Sequence, residues 1–321
     1  MIKIVRKLKS YIQNLFLNPF LQAMSSLPSG GMVTLFDVGA AGDIEPRWKV
    51  FSPYLNYVGF EPDERSCKQL LEKASSSDCY SYNMIPHALW GSKAELKLHL
   101  CAKPHVSSIY VPKIEFLKNF PQVERFDVIS TEDFSVVPID SLDLTSPDFM
   151  KLDVQGAELQ ILKGAGNLLD NVLGLEVEVE FVEHYENQPL FGDVCELLTK
   201  QGFEFIDFPN LCRWERHDFT GYGQCVWGDA LFLRTPENMD LASMSNNKLS
   251  AYLSILLIYR RFDLIDVTIK LLPDKRKHIL NEFHIKVAKA KNADRFGKKI
   301  SEIFSRILNA LDPNYKPHLL Y

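Results

Sequence analysis

The sequence has no apolar stretch approaching the roughly 18 uninterrupted residues of a membrane-spanning helix, so no spanning segment is expected in its 321 residues. Paired cysteines are also missing. Cys67, Cys79, Cys101, Cys195, Cys212 and Cys225 are scattered without a C-x-x-C. A chain of this size folds without a disulfide framework, and a reducing cytoplasm is the expected compartment. Nor is there an excess of basic charge. The formal net charge of −5 combines a middle (37–269) at −16 with basic ends: residues 1–36 have four basic and no acidic side chains, and 270–321 have twelve and five. An acidic body argues against a nucleic-acid partner, whose enzyme would need a basic groove. The basic ends either meet an anionic surface, such as the inner face of a membrane or a glycolipid, or are ordinary solvated faces. Internal repeats and low-complexity tracts are absent.

What is present is 46% hydrophobic content over a length that suits one large α/β domain with an appendage. Three parts are expected: a basic amphipathic segment at 1–30, the main domain at 31–236, and a helical appendage at 237–321. In the first, Ile4, Leu8, Ile12, Leu15 and Phe16 fall on one helical face opposite Lys3 and Lys7, while Gln13, Asn14, Asn18 and Pro19 interrupt what would be a signal core. That pattern suits an interfacial or docking helix, or equally a helix packed on its own domain.

The main domain opens after the loop around Leu27 to Gly31. Short β-branched or aromatic runs (TLFDV, YVGFE, YSYNMI, FMKLDV, LGLEVEVEF) alternate with helical patterns at 63–73, 157–163 and 190–201. Such alternation predicts parallel strands joined by crossover helices. Between Ala94 and Leu144, AELKLHL, FDVIS and SVVPIDSL predict a small antiparallel excursion, and FEFIDF with ALFLR a final strand pair. Beyond Pro236, NKLSAYLSILLIY, LIDVTIKLL and two Lys/Arg-rich stretches place apolar residues at helical spacing, so the appendage should be all-helical. It forms a homodimer, touches a membrane through its basic helices, or caps the site; the sequence leaves all three open.

In an open parallel sheet, ligands lodge beyond the carboxyl ends of the strands. The first strand runs into DVGAAGD, where Gly39 and Gly42 let backbone turn tightly and approach a ligand. The second ends in GFEP, with Glu61 at its tip 22 residues after Gly39 and Pro62 beside it. A carboxylate there can accept both hydroxyls of a ribose, which points to an adenosine-type cofactor. Only a G-x-x-G stands where a dinucleotide fold would carry G-x-G-x-x-G, which favours a ligand without a pyrophosphate over a nicotinamide nucleotide. The third tip, IPHALW, places Ala88 or its neighbours against an adenine.

KLDVQGAELQILKGAG supplies the fourth tip. On a strand Lys151 and Asp153 share a face, so Asp153 emerges beside the crevice, where a carboxylate must meet water, a partner or a ligand. Glu158 opens a helix that closes with Lys163 and Gly164, a charge order complementing the helix dipole, and it reads as structural. In LEVEVEF, Glu176, Glu178 and Glu180 alternate with apolar residues. In a sheet covered on both sides this buries three like charges, which is unfavourable unless they are paired, protonated or at the solvent end. At least the later two should reach the crevice; an exposed antiparallel strand is the alternative.

Together these segments resemble the FkbM methyltransferase family, a branch of the class I S-adenosylmethionine-dependent enzymes. DVGAAGD, GFEP and KLDVQGAELQILKGAG carry the likeness, which continues through VSSIYVP, EVEFVEHYENQPLF, GFEFIDF and QCVWGDALFLR, over roughly 33 to 236. The resemblance implies a Rossmann-like, seven-stranded, mostly parallel sheet with its last strand reversed. It implies S-adenosylmethionine as cofactor, with Asp37, Gly39, Ala40, Gly42, Glu61, Pro62 and Ala88 at cofactor positions and Asp153 on the loop bordering the transferable methyl. Ala41–Gly42 departs from the Asn-x-Gly of many relatives.

The resemblance further implies O-methylation of a sugar, glycan, glycolipid precursor or polyketide-like molecule. Alcohols are poor nucleophiles until their proton is accepted, so a carboxylate or imidazole is needed within reach. The candidates are Asp153, Glu178, Glu180 and His184, with His217 further off. Asp153 is placed near the methyl, and Glu180 or His184 at the acceptor. A divalent cation on Asp153 and the glutamates would suit hard oxygen ligands, but nothing in the spacing fixes one. Phe181, Tyr185, Phe191, Trp214, Tyr222 and Trp227 suit a sugar's C–H face or core packing, and Ser107 and Ser108 fall near the crevice by the family likeness. A non-catalytic nucleotide- or glycan-binding module, recruiting a partner through the helical tail, is the alternative reading.

Overall fold

A computed structural model describes residues 17–311, apart from 41, 43, 63, 75–77 and 220. The amphipathic face from Ile4 to Phe16 lies outside the described residues. The strands, in chain order, are β1 (Val33–Val38), β2 (Leu55–Phe60), β3 (Ser81–Ile85), β4 (Ala88–Leu89), β5 (Ala94–Cys101), β6 (Val128–Val137), β7 (Phe149–Leu152), β8 (Gly174–Glu180), β9 (Glu204–Trp214) and β10 (Gln224–Leu233). Residues 17–25 are helical (α1). They are followed by α2 (Pro46–Lys49), α3 (Glu64–Ala74), α4 (Ile114–Leu117), α5 (Glu158–Lys163), α6 (Phe191–Lys200), α7 (Asn246–Ile258), α8 (Phe262–Leu271), α9 (Asp274–Ile279) and α10 (Asn281–Leu311).

Seven strands form one sheet in the order β3-β2-β1-β7-β8-β10-β9. The pairs β2–β3, β1–β7 and β7–β8 are parallel, and β10 runs antiparallel to both of its neighbours. This is the expected Rossmann-like sheet with its last strand reversed. The predicted excursion is a second sheet, β4-β6-β5, in which β5 and β6 are antiparallel, as expected, but β4 and β6 are parallel, and VIS and SVV belong to the single strand β6.

Residues paired across strands share a face, and that rule separates two chemistries on the large sheet. Val38, Leu152 and Val177 are in register on one face, where they join Leu159, Ile161 and Leu162 of α5 and Val194 and Leu198 of α6 in the core. Asp37, Lys151 and Glu176 are in register on the other face. Glu178 and Asp229 are paired one step further along the same face. All three glutamates of β8 are buried (Glu176 2%, Glu178 8% and Glu180 4% exposed), so the strand is not the exposed one its alternation also permitted.

The chain divides into two compact units. One contains residues 34–44 and 55–235, with both sheets; the other contains the described parts of 1–33, 45–54 and 236–321. In the helical unit α7 is buried on all sides from Leu249 to Ile258, and its N-cap Ser245 accepts the Lys248 N–H at 3.1 Å. The segment 45–54 belongs there because buried Trp48 packs edge-on against Tyr259 (5.9 Å) and donates from its indole to the Tyr259 hydroxyl (3.3 Å). Among the described residues no helix is long and apolar enough to cross a membrane.

Candidate active site

The tips of four strands are tied into one rim. Gly39 and Ala40, just past β1, donate their N–H groups to the Phe60 carbonyl at the end of β2 (3.2 and 3.1 Å). Asp153, just past β7, donates to Val38 O at 3.0 Å. The carbonyl of Ile85, ending β3, accepts from both Glu61 (3.2 Å) and His87 (2.9 Å), which brings the segment leading to Ala88 beside the β2 tip. Gly39 has φ +89°, and a Cβ there would collide with the Asp153 carbonyl oxygen, so glycine is what lets β1 and β7 close on each other. Gly42 faces open space. Glu61 and Pro62 are half-buried, and Ala88 opens β4 in the smaller sheet.

Below the rim, charge is organised around Lys151. Its Nζ lies 3.3 Å from Asp153 Oδ2 and 3.9 Å from Asp37 Oδ1, and Asp37 Oδ2 accepts the Tyr57 hydroxyl at 2.8 Å. Burial opposes the ammonium, yet Asp37, Asp153 and Glu176 outweigh it and push the Lys151 pKa above its usual range. Burial lifts Asp37 in spite of Lys151 and Tyr57. Burial also works on Asp153, but there Lys151, Glu178 and Gln155 prevail and hold the carboxyl below its ordinary range.

Asp153 therefore keeps its charge among carboxyls whose charge is disfavoured. Burial, and then the neighbouring Asp153 and Glu180 charges, put Glu178 well above the usual range; burial and Glu158 do the same to Glu180. Glu158 rises to about 7 by burial, although its Oε1 accepts the Val154 N–H at 2.8 Å, a structural role like the one its helix position predicts. Asp229 is pushed to about 7 by burial and by Glu176. Crowded acids cannot all ionise at once, so Asp153 holds the charge that Glu178 and Glu180 resist.

These directions predict a pH dependence. A carboxyl whose folded pKa exceeds its unfolded value stabilises the fold below the unfolded pKa, and that contribution is lost as pH rises through the folded one. For Glu158 and Asp229 the window runs from about 4 to about 7. Asp153 titrates below it and Lys151 above it. His184, pushed down to about 4 by burial and by Arg125, opposes the trend between its unfolded 6.5 and about 4, one group against five raised acids. The expected result is a thermal midpoint several degrees higher at pH 5.5 than at pH 8. Glu158→Gln should flatten the difference; a steeper or reversed slope would refute the assignment.

The residue the sequence did not single out is Gln155. Its backbone is left-handed (φ 56°), a strained conformation for a residue with a side chain. Nε2 donates to Glu178 Oε2 at 2.8 Å and, more weakly, to Asp153 Oδ1 at 3.4 Å. Oε1 accepts the Tyr185 hydroxyl at 3.3 Å, and the backbone carbonyl accepts buried Ser108 Oγ at 2.7 Å. Gln155 thus fixes the Asp153–Glu178 pair from above.

His184 is not brought into this cluster. It is buried, stacked on Trp214 (4.7 Å) and Phe116 (6.1 Å), and its Nε2 has no hydrogen-bond partner. Tyr185 donates to Val106 O at 2.9 Å, while Phe181 and Phe191 pack at 5.9 Å beside the core. Among the described residues no set of three or more His, Cys, Asp or Glu side chains is arranged to hold a metal ion.

A family model, the methyltransferase FkbM domain, matches residues 38–205. No curated protein matches. Among solved structures, methyltransferase FkbM from Methylobacillus flagellatus KT is 15% identical, with a TM-score of 0.37, over 63% of this chain and 44% of that one. The chain therefore spans less than half the length of that protein. Magnesium protoporphyrin IX methyltransferase from Synechocystis PCC 6803, with S-adenosylmethionine bound, is 11% identical with a TM-score of 0.36, over 71% of this chain and 79% of that one. Matched by the family model across more than half of its length, the chain belongs to the FkbM methyltransferase family.

Proposed function

We propose that the chain is an S-adenosylmethionine-dependent O-methyltransferase acting on a hydroxyl of a sugar, glycan or glycolipid precursor. The observation that carries this reading is the convergence of the β1, β2 and β7 tips on one rim, with Gly39 closed onto Asp153. The donor set suits the cofactor: Glu61 offers a carboxylate to ribose hydroxyls, Gly42 faces open space, and an ionised Asp153 suits a cationic sulfonium. S-adenosylmethionine, when bound, supplies an electrophilic methyl group.

The protein's part is alignment and proton management. Asp153 accepts the proton of the acceptor hydroxyl at a carboxylate oxygen. Lys151 and Gln155 keep that carboxylate charged and oriented. Glu178 and Glu180, protonated, are placed as hydrogen-bond donors rather than bases. The buried, neutral His184 supports the acceptor side by stacking.

Calorimetric titration with S-adenosylmethionine tests the reading: saturable binding is expected, followed by methyl transfer to a sugar hydroxyl detected by mass spectrometry. Glu61→Gln should weaken binding by about 10- to 100-fold, because hydrogen bonds to a charged group contribute about 1.5–3 kcal/mol. Absence of binding by the unaltered chain would end the proposal.

A further inference from the structure

Around His184 and Trp214 lies a group of arginine and aromatic side chains that neither the strand-tip rim nor the Asp153 cluster uses. Arg125 lays its guanidinium over the Trp214 ring at 4.7 Å, and Arg216 over Phe120 at 5.2 Å. Phe120 meets Trp214 edge-on at 5.4 Å, and the His184 imidazole is stacked on Trp214 at 12°. Among the described residues neither guanidinium has a carboxylate partner. Arg216 donates to the neutral Gln224 Oε1 at 3.1 Å, and Nε of half-buried Arg125 has no hydrogen-bond partner, like Nε2 of buried His184. A guanidinium removed from water is ordinarily paired with carboxylate or phosphate, whose oxygens fit its fork. Arg125 is half-buried with the Glu124 charge acting on it, and Arg216 is exposed; laid on aromatic rings within a segment of net charge −16 (37–269), the two form a local cationic shelf.

The shelf adjoins the chemistry. His184 is followed by Tyr185, whose hydroxyl lies 3.3 Å from Gln155 Oε1, and Gln155 in turn contacts Asp153. A flat ring flanked by cations suits a ligand with an apolar C–H face and a negative substituent. We infer that this arginine–aromatic shelf is the acceptor subsite and that it selects a sugar bearing a carboxylate or phosphate over a neutral one. The inference rests on the methyltransferase reading for its meaning, but not for its test. The sugar packs against the part of half-buried Trp214 that His184 and Arg125 leave uncovered, Arg125 and Arg216 take the anion, and the neighbouring hydroxyl is directed toward Asp153.

The test is calorimetric titration of the full chain with glucose, glucuronate and glucose 6-phosphate, with S-adenosylmethionine titrated into the same preparation. At least one anionic sugar should bind tenfold or more tightly than glucose, a difference of about 1.4 kcal/mol. The glucuronate and glucose 6-phosphate arms decide between carboxylate and phosphate. Arg125→Gln should remove the preference while leaving S-adenosylmethionine affinity unchanged. Arg216→Gln, altered at an exposed side chain, should reduce it even if the Arg125 variant does not fold. Equal binding of all three sugars, binding of none, or a preference that survives both variants overturns the inference. A chain that binds S-adenosylmethionine yet ignores sugar charge loses the shelf and keeps the methyltransferase reading. One that shows the charge preference without binding S-adenosylmethionine does the reverse.

Discussion

Asp153→Asn is expected to lower methyl transfer by about 10²- to 10⁴-fold, the range a positioned general base contributes. The amide matches the carboxylate in shape but cannot accept the acceptor's proton. The loss should fall on turnover and not on assembly, because Lys151 keeps Asp37 and Glu176 as counter-charges and Gln155 keeps Glu178. S-adenosylmethionine affinity should stay within about tenfold, or ~1.4 kcal/mol. Turnover measured at saturating cofactor, alongside calorimetric titration of the same variant, separates the two. The pH profile adds an independent sign. Asp153 is held below its usual range, so the unaltered enzyme should need no rise above neutral pH to ionise its base. An Asp153→Asn variant with full activity would leave Asp153 a structural residue and pass the base to another group, and Glu180 would have to shed its proton first.

The strand tips were legible because their signals are local. Gly39, Glu61 and Asp153 each follow a short apolar run, and period-two alternation fixes which residues share a face. What was hidden depends on partners far away in the chain. Nothing around Trp48 announces that 45–54 joins the helical unit, because its partner Tyr259 is 211 residues distant. The alternation of Glu176, Glu178 and Glu180 posed the question of their charge, but the register pairing Glu176 with Lys151, and Lys151 with Asp37, could not be read without the sheet. His184 in isolation reads as a surface residue; its burial comes from Trp214 and Phe116, on separate elements. Gln155 left only a faint trace, a side-chain-bearing residue before Gly156 at a turn where both take positive φ. Its role follows from where that strained backbone aims an amide.

Lys151→Met should show how far the site depends on one counter-ion. The substitution keeps volume and removes a charge whose side chain is 14% exposed, leaving Asp37, at 8%, without its cation. Breaking a buried pair by removing one partner costs about 3–5 kcal/mol, since the remaining charge is left uncompensated. Urea denaturation at neutral pH should register a loss of that size. The sign of its pH dependence is fixed in advance. Without the ammonium, Asp37, already raised by burial, rises further above its unfolded 3.8, and a raised acid stabilises the fold at low pH and loses that contribution as pH climbs. The deficit relative to the unaltered chain should therefore shrink at pH 5 and grow at pH 7.5. Adding Asp37→Asn should recover part of it, because the more buried of the two carboxylates facing the cation is gone, while half-exposed Asp153 keeps water, and the Tyr57 hydroxyl still has an oxygen to meet. A deficit below about 1 kcal/mol, the range of an exposed ion pair, or one of the same size at both pH values, would mean that Lys151 does not hold the charge of this site together.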